Sequence, residues 1–179
     1  IILIEYCMTT ISRLHRIFYD FLISVKLPSL YAEVLNLVLL TVLVFIVATI
    51  LNYFFKNSIS KIFKSLSKNT KTNFDDYLIE NKTPVYIAKL VPVFFIYKVI
   101  PFWFFDFEMF IEYAFLALEV YLVFLSVWIV KSVLRSVKFY LKTLDSLKDK
   151  PIESFIQVIL IFVWFVAVLN IFSIVTGKE

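Results

Sequence analysis

Four long apolar stretches, separated by short polar segments, dominate the pattern of this 179-residue chain. The last stretch, Phe155 to Val175, contains no charged residue. About 21 residues in an α-helix span about 30 Å, which is the hydrocarbon thickness of a bilayer. Pro151 stands where a helix can begin, and Gly177 where it can end. The pattern therefore predicts a membrane-spanning helix over residues 152–176.

Three earlier stretches have the same character and predict spans over residues 31–55, 84–105 and 109–130. Pro92 and Pro101 lie inside the second span, so its helix should be kinked. The first and third helices should continue beyond the membrane, because the residues that follow them keep a helical spacing. We expect an all-α membrane protein in which residues 30–179 form four transmembrane helices with cytoplasmic helical extensions.

Residues 1–29 predict an amphipathic N-terminal lead-in. Apolar residues recur there at helical spacing with Arg13, Arg16 and Asp20 between them, a pattern typical of a helix lying in the membrane interface. The chain begins with isoleucine and stops just after Gly177, so we expect it to be a piece of a longer protein.

The composition supports a membrane protein and excludes several kinds of enzyme. With 61% hydrophobic residues and a mean hydropathy of +0.90, the chain is too apolar for a soluble domain of its size. Its single glycine, Gly177, excludes the glycine-rich loops that hold phosphates or dinucleotides. One cysteine and one histidine allow no internal disulfide and no histidine-rich metal site. We therefore expect neither an enzyme nor a bound cofactor.

Two groups of basic residues follow the first and third spans. Basic residues on successive helical turns beside a span favour contact with anionic lipid, although a solvated charged face has the same pattern. Nucleic acid is a poor alternative for residues beside a bilayer. The first group is Lys61, Lys64 and Lys68, and the second, called the basic stripe below, is Lys131, Arg135, Lys138 and Lys142.

The distribution of charge also predicts the orientation in the membrane. Lysine and arginine are concentrated in the connections after the first and third spans, whereas the turn after the second carries Asp106 and Glu108. Positive residues favour the cytoplasmic side. We expect residues 56–83 and 131–151 to be cytoplasmic, with the N-terminus and residue 179 outside.

Two charged residues lie inside the predicted spans at comparable depth below the turn near Phe107. These are Lys98 in the second span and Glu119 in the third. Lys98 could also reach Glu112, but Glu119 is the deeper carboxylate and gains more from pairing. We predict an ion pair between Lys98 and Glu119 that clamps the two helices. The alternative is that each charge reaches water or headgroups separately.

Paired aspartates, Asp75 and Asp76, follow the first helix. Such a pair can act as acid and base or bind a hard cation. No third carboxylate, histidine or glycine-rich loop accompanies the pair. We interpret it as the first turn of a short helix capped by Thr72 or Asn73, where negative charge is favoured by about 0.3–1 kcal/mol.

The sequence resembles one family of membrane proteins over residues 31–179. Two sets of residues carry the likeness, and their order and spacing matter more than either set alone. They are Lys71-Thr72 with Asp75-Asp76-Tyr77-Leu78, and Lys150-Pro151 with Ser154, Gln157, Leu169, Ser173 and Thr176-Gly177-Lys178. The family is the small-conductance mechanosensitive channels, in the bacterial branch with extra N-terminal transmembrane helices.

The resemblance implies a bacterial inner-membrane protein that assembles as a homo-oligomer, a heptamer in the family. It also implies that the next helix forms the pore above a cytoplasmic β-rich vestibule. Neither the pore helix nor the vestibule is among these residues, so no pore residue is carried over to this chain.

The residue content of the spans points to a tension sensor. The predicted spans contain no glycine and few alanines, the residues that let membrane helices pack closely. We infer large lipid-exposed faces and no polar conduction path. Lateral tension favours whichever state occupies more membrane area, and helices coupled to lipid report it. The alternative function is a non-conducting four-helix anchor or scaffold subunit of a larger complex.

Overall fold

The computed structural model describes residues 18–69, 74–144 and 151–177, without the side chains of Leu66, Lys68 and Asn69. Within these ranges the chain is helical and contains no strand. Residues 18–24 form a short helix that is left unnumbered. A 3₁₀ turn, Glu108–Phe110, lies directly before the helix that begins at Ile111. The numbered helices are α1 (Ser29–Asn69), α2 (Phe74–Glu80), α3 (Thr83–Ala88), α4 (Leu90–Trp103), α5 (Ile111–Lys142) and α6 (Ile152–Thr176).

Among the described residues, four helical segments are long and apolar enough to cross a membrane. They are Ser29–Ser65, Thr83–Trp103, Glu108–Lys142 and Ile152–Thr176. The predicted all-α membrane fold is therefore confirmed. Of the lead-in predicted over residues 1–29, residues 1–17 lie outside the described part of the chain.

Two of the helices run well past a bilayer's thickness. The 41 residues of α1 and the 32 residues of α5 correspond to about 60 Å and about 48 Å of helix. Each is therefore longer than the roughly 30 Å of hydrocarbon that a span must cross. This confirms that the first and third helices continue beyond their apolar stretches.

The residues that bound α6 behave as the sequence predicts. Pro151 is its N-cap and Gly177 its C-cap. Gly177 adopts the left-handed conformation at φ 62°, which costs an L-residue with a side chain about 1–2 kcal/mol. A glycine at that point therefore ends the helix without strain.

The second span, in which the prolines predict a kink, is not one continuous helix. The helix is interrupted at Lys89, between α3 and α4. Pro92 has no N–H to donate to the carbonyl of Ala88, and its ring crowds that carbonyl. Pro101 lies inside α4 near its end, and the helix continues past it to Trp103.

The described residues fall into two compact units. The first consists of the described parts of Ile1–Ile50 together with Phe94–Phe115. Inside it, the Trp103 indole N–H donates to the Thr41 hydroxyl at 2.9 Å. The fully buried Asn36 amide points at the Asp106 carboxylate, with 3.5 Å between Nδ2 and Oδ2. These contacts join the first half of α1 to α4 and to the turn that follows it.

The second unit consists of Leu51–Val93 and the described parts of Leu116–Glu179. Aromatic side chains pack α2 against α5, with ring centroids 5.6 Å apart for Phe74 and Tyr140 and 6.0 Å apart for Tyr77 and Phe139. Small side chains on α5 allow this close approach, because Ser132 and Ser136 are buried there.

The described spans bury little of their apolar surface. Only 6% of the most apolar stretch of α6 is buried, and 22% of that of Thr83–Trp103. Large side chains such as Phe155 and Phe172 are each 66% exposed. Exposed apolar area on this scale is unfavourable in water by about 25 cal/mol per Å², and lipid removes that penalty.

Five polar residues in or beside the apolar stretches are satisfied by their own helix. Each donates to the carbonyl four residues earlier, at 2.7–2.9 Å, and each is exposed. A bilayer offers no water to such groups, so the intrahelical bond keeps the helix compatible with lipid. The residues are Thr41, Thr49, Ser126, Asn170 and Thr176.

Candidate functional site

The C-terminal half of α5 carries a row of basic residues. The basic stripe follows its apolar part, which ends at Val130. Lys131, Arg135 and Lys142 are exposed and Lys138 is half-buried. Steps of four, three and four residues place the four cations on one side of the helix. The stripe therefore forms one continuous positive surface.

The start of α6 brings a carboxylate onto the far end of this stripe. One oxygen of Glu153, Oε1, pairs with the ammonium groups of both Lys138 and Lys142, the second at 3.0 Å. The Glu153 side chain is about half exposed. The stripe is thus divided into an outer half, Lys138 and Lys142, whose two positive charges share one carboxylate, and an open half, Lys131 and Arg135.

Sequence reasoning missed Glu153. It counted the cations near this connection and did not ask which acid could face them. A usable signal existed, because Glu153 stands in the first turn of a helix that follows α5 after a short connection. Two consecutive antiparallel helices bring the first turn of one level with the last turns of the other.

An open pocket of about 210 Å³ lies between α5 and α6 and is called the α5–α6 pocket below. Its polar lining consists of Lys131, Arg135, Lys138, Glu153 and Gln157. Its apolar lining consists of Ile156 and Leu160. The pocket therefore presents cations and apolar surface to the same occupant.

A second open pocket of about 180 Å³ shares two of these residues and is called the aromatic pocket below. It is lined by Asn81, Tyr86, Trp128, Lys131, Ser132 and Arg135. Lys131 and Arg135 thus line both pockets, so together they form the centre of the candidate site.

The aromatic side of this pocket also holds a cation of its own. The Lys89 ammonium lies 5.6 Å from the centre of the Tyr86 ring and 5.7 Å from that of Trp128. Cation–π contacts at such distances contribute about 0.5–1 kcal/mol at exposed sites. They fix Lys89 beside Trp128, one turn of α5 before Lys131.

A polar clasp, made of Tyr77, Asn81, Thr83, Ser132 and Ser136, supports the site from the other side. The Ser132 hydroxyl contacts the Asn81 carbonyl and the Thr83 hydroxyl, each at 2.7 Å. The Ser136 hydroxyl donates to the Tyr77 carbonyl at 2.9 Å. Since Thr83, Ser132 and Ser136 are buried, these bonds hold the α2–α3 connection against α5.

The paired aspartates lie where the sequence places them. Asp75 and Asp76 occupy the first turn of α2, and the Ser67 hydroxyl donates to Asp76 Oδ1. The proposed cap Thr72 lies outside the described residues. No group of three or more His, Cys, Asp or Glu that could hold a metal ion exists among the described residues.

The remaining site residues stay predictions. Lys98 lies beside the rings of Phe94 and Tyr97, 5.6 and 5.8 Å from their centres. Lys98 belongs to the first compact unit and Glu119 to the second, so the ion pair between them stays a prediction. Lys61 and Lys64 are exposed on α1, and the side chain of Lys68 lies outside the described part.

Comparison with known proteins adds no further identification. No protein-family model, no curated protein and no solved structure matches the chain.

Proposed function

We propose that this chain is the tension-sensing membrane region of a mechanosensitive ion channel. The observation that carries the proposal is α6, a 25-residue helix whose most apolar stretch is 6% buried. Its exposed side chains would be held by lipid, so a change in bilayer area or thickness would do work on the helix.

The spans themselves favour a sensor over a conduction path. Exposed Thr41, Ser126 and Asn170 bond back to their own helices, so these side chains are poorly suited to line a path for ions. The pore would therefore belong to a further helix outside these residues, which is the arrangement in the channel family that the sequence resembles. Opening would release ions and osmolytes on hypo-osmotic shock.

The proposed orientation has the α2–α3 connection and the start of α6 on the cytoplasmic side of a bacterial inner membrane. Both elements contact the C-terminal half of α5, through the polar clasp and through Glu153. They share that region with the basic stripe, and positive residues favour the cytoplasmic face. The stripe and the basic residues of α1, Lys61 and Lys64, would then contact anionic lipid.

The proposal is tested by recording from the natural protein that contains these residues. Reconstituted into liposomes, it should give currents in excised patches when suction raises membrane tension, and patches without protein give the baseline. The native mass should correspond to a homo-oligomer of about seven copies. Absence of current up to the tension that ruptures the patch would contradict the proposal and favour the anchor or scaffold function.

A further inference from the structure

The open half of the basic stripe has features that the proposed function alone does not require. Lys131 and Arg135 are exposed and line both pockets. Among the described residues that line these pockets, Glu153 is the one carboxylate, and it binds Lys138 and Lys142. The stripe therefore retains two uncompensated positive charges at its membrane-proximal end.

We propose that Lys131 and Arg135 bind the phosphate of an anionic phospholipid headgroup that spans the α5–α6 pocket and the aromatic pocket. The assignment rests on the proposed membrane placement of the chain and adds a defined binding site to the lipid contact proposed there. A guanidinium and an ammonium one turn apart supply several donors to phosphate oxygens from two directions.

The internal carboxylate shows that this surface holds an anion. Glu153 Oε1 is shared by two stripe cations, one of them 3.0 Å away. Because the four cations repeat at helical steps, Lys131 and Arg135 offer the same spacing to a second anionic oxygen. Glu153 occupies the outer half of the stripe, so the inner half is left for the ligand.

The residues that line the two pockets favour a lipid over a soluble phosphate ester. Ile156 and Leu160 give the α5–α6 pocket an apolar wall, against which an acyl chain can lie. Trp128 and Tyr86 line the aromatic pocket, and such side chains prefer the interface between headgroups and hydrocarbon. The ligand is therefore amphipathic, with its phosphate at the cations.

Trp128 provides a local reporter for the test. In a variant that keeps only this tryptophan (W103F, W164F), its fluorescence is quenched by lipids with brominated chains. The measured quantity is the quenching by brominated phosphatidylglycerol relative to brominated phosphatidylcholine, in vesicles of defined composition. We expect the fraction of phosphatidylglycerol among the lipids next to Trp128 to be higher than its fraction in the vesicle as a whole.

Substitutions at the two cations should remove this preference. Lys131→Gln and Arg135→Gln should each lower it about fivefold, the factor expected for one charge near an anionic surface. Arg135→Lys should keep most of it. The matched control is Lys56→Gln, which removes an exposed charge from α1 and should leave the preference unchanged. Equal preference in all four variants would overturn the site.

Glu153→Gln gives an independent arm. It should raise the preference, because Glu153 lines the α5–α6 pocket and its negative charge opposes a phosphate bound there. An unchanged preference would contradict the placement of the phosphate in that pocket. Soluble glycerol phosphate, at matched ionic strength, should leave the quenching unaltered. Displacement of lipid by glycerol phosphate would overturn the lipid assignment in favour of a soluble phosphate ester.

The assay separates this site from the function proposed above. Quenching requires only insertion of the chain in vesicles and no conducting pore. A chain that shows the preference without stretch-activated current keeps the site and loses the channel. A chain that conducts under tension without the preference keeps the channel and loses the site.

Discussion

At the scale of single residues, the bond that a hydroxyl makes separates two kinds of serine and threonine in this chain. Ser126 bonds to the carbonyl of its own helix and is exposed. Ser136 also reaches a carbonyl of another element, Tyr77, and is fully buried. The first kind makes a helix acceptable to lipid, whereas the second joins two elements.

The two kinds of serine should therefore respond differently to replacement. Ser136→Ala should lower the free energy of unfolding by about 0.5–1.5 kcal/mol, because it removes the bond from α5 to the Tyr77 carbonyl, which keeps only its two Asn81 donors. Ser126→Ala should change it by less than about 0.5 kcal/mol. Unfolding by SDS in mixed micelles, followed by circular dichroism, measures both. Equal losses would show that the clasp does not hold α2 to α5.

Replacement by glycine should raise the free energy of unfolding at Lys82 and lower it at an ordinary position inside a helix. It adopts the left-handed conformation, at φ 63°, in the turn between α2 and α3. Lys82→Gly removes a backbone cost of about 1 kcal/mol and should raise the unfolding free energy by about 0.5–1 kcal/mol.

The matched control is Lys64→Gly, at an exposed position inside α1. It should lower the unfolding free energy by about 1 kcal/mol, since glycine is a poor helix former. The same SDS titration applies, and a loss of stability in both variants would mean that the turn is not built as described.

At the scale of elements, local signals predicted where helices begin and end, but not how they face one another. Pro151 and Gly177 bound α6 because a cap depends only on neighbouring residues. The pairing of Glu153 with Lys138 and Lys142 depends on how α5 and α6 are rotated about their axes. A helix that is apolar nearly all round carries no sequence pattern that fixes this rotation, so the sequence alone left the contact open.

The membrane orientation of the elements is a prediction that cysteine labelling can test. In a Cys7→Ser background, a cysteine replacing Glu108 should react with a membrane-impermeant maleimide in intact cells. Cysteines replacing Lys64 or Thr143 should react only after the cells are permeabilised, because the basic connections should be cytoplasmic. All three replaced residues are exposed. The reverse pattern of labelling would invert the orientation.

At the scale of the whole molecule, composition determined the class of fold and left the function to be tested. A chain with 61% hydrophobic residues and one glycine must place most of its apolar surface in lipid or against other chains. The exposed faces of the described spans follow from that composition. The candidate site does not, because it needs the polar clasp and Glu153 to bring three elements to the same part of α5.

The measurement that tests the central claim most directly is the lipid exposure of α6 in a bilayer at rest and under tension. Nitroxide labels would replace exposed Phe162, Phe165 and Leu169 and, as a control, buried Ala167. Collisions with oxygen report lipid, and collisions with a water-soluble nickel chelate report water. Lysolipid added to one leaflet supplies the tension.

The account predicts high oxygen accessibility and low nickel accessibility at the three exposed positions, low oxygen accessibility at the control, and a change in this pattern when tension is applied. Protection of the exposed positions from oxygen, or their contact with the nickel chelate, would contradict the claim that lipid holds this helix. A pattern unmoved by tension would contradict its role as a sensor.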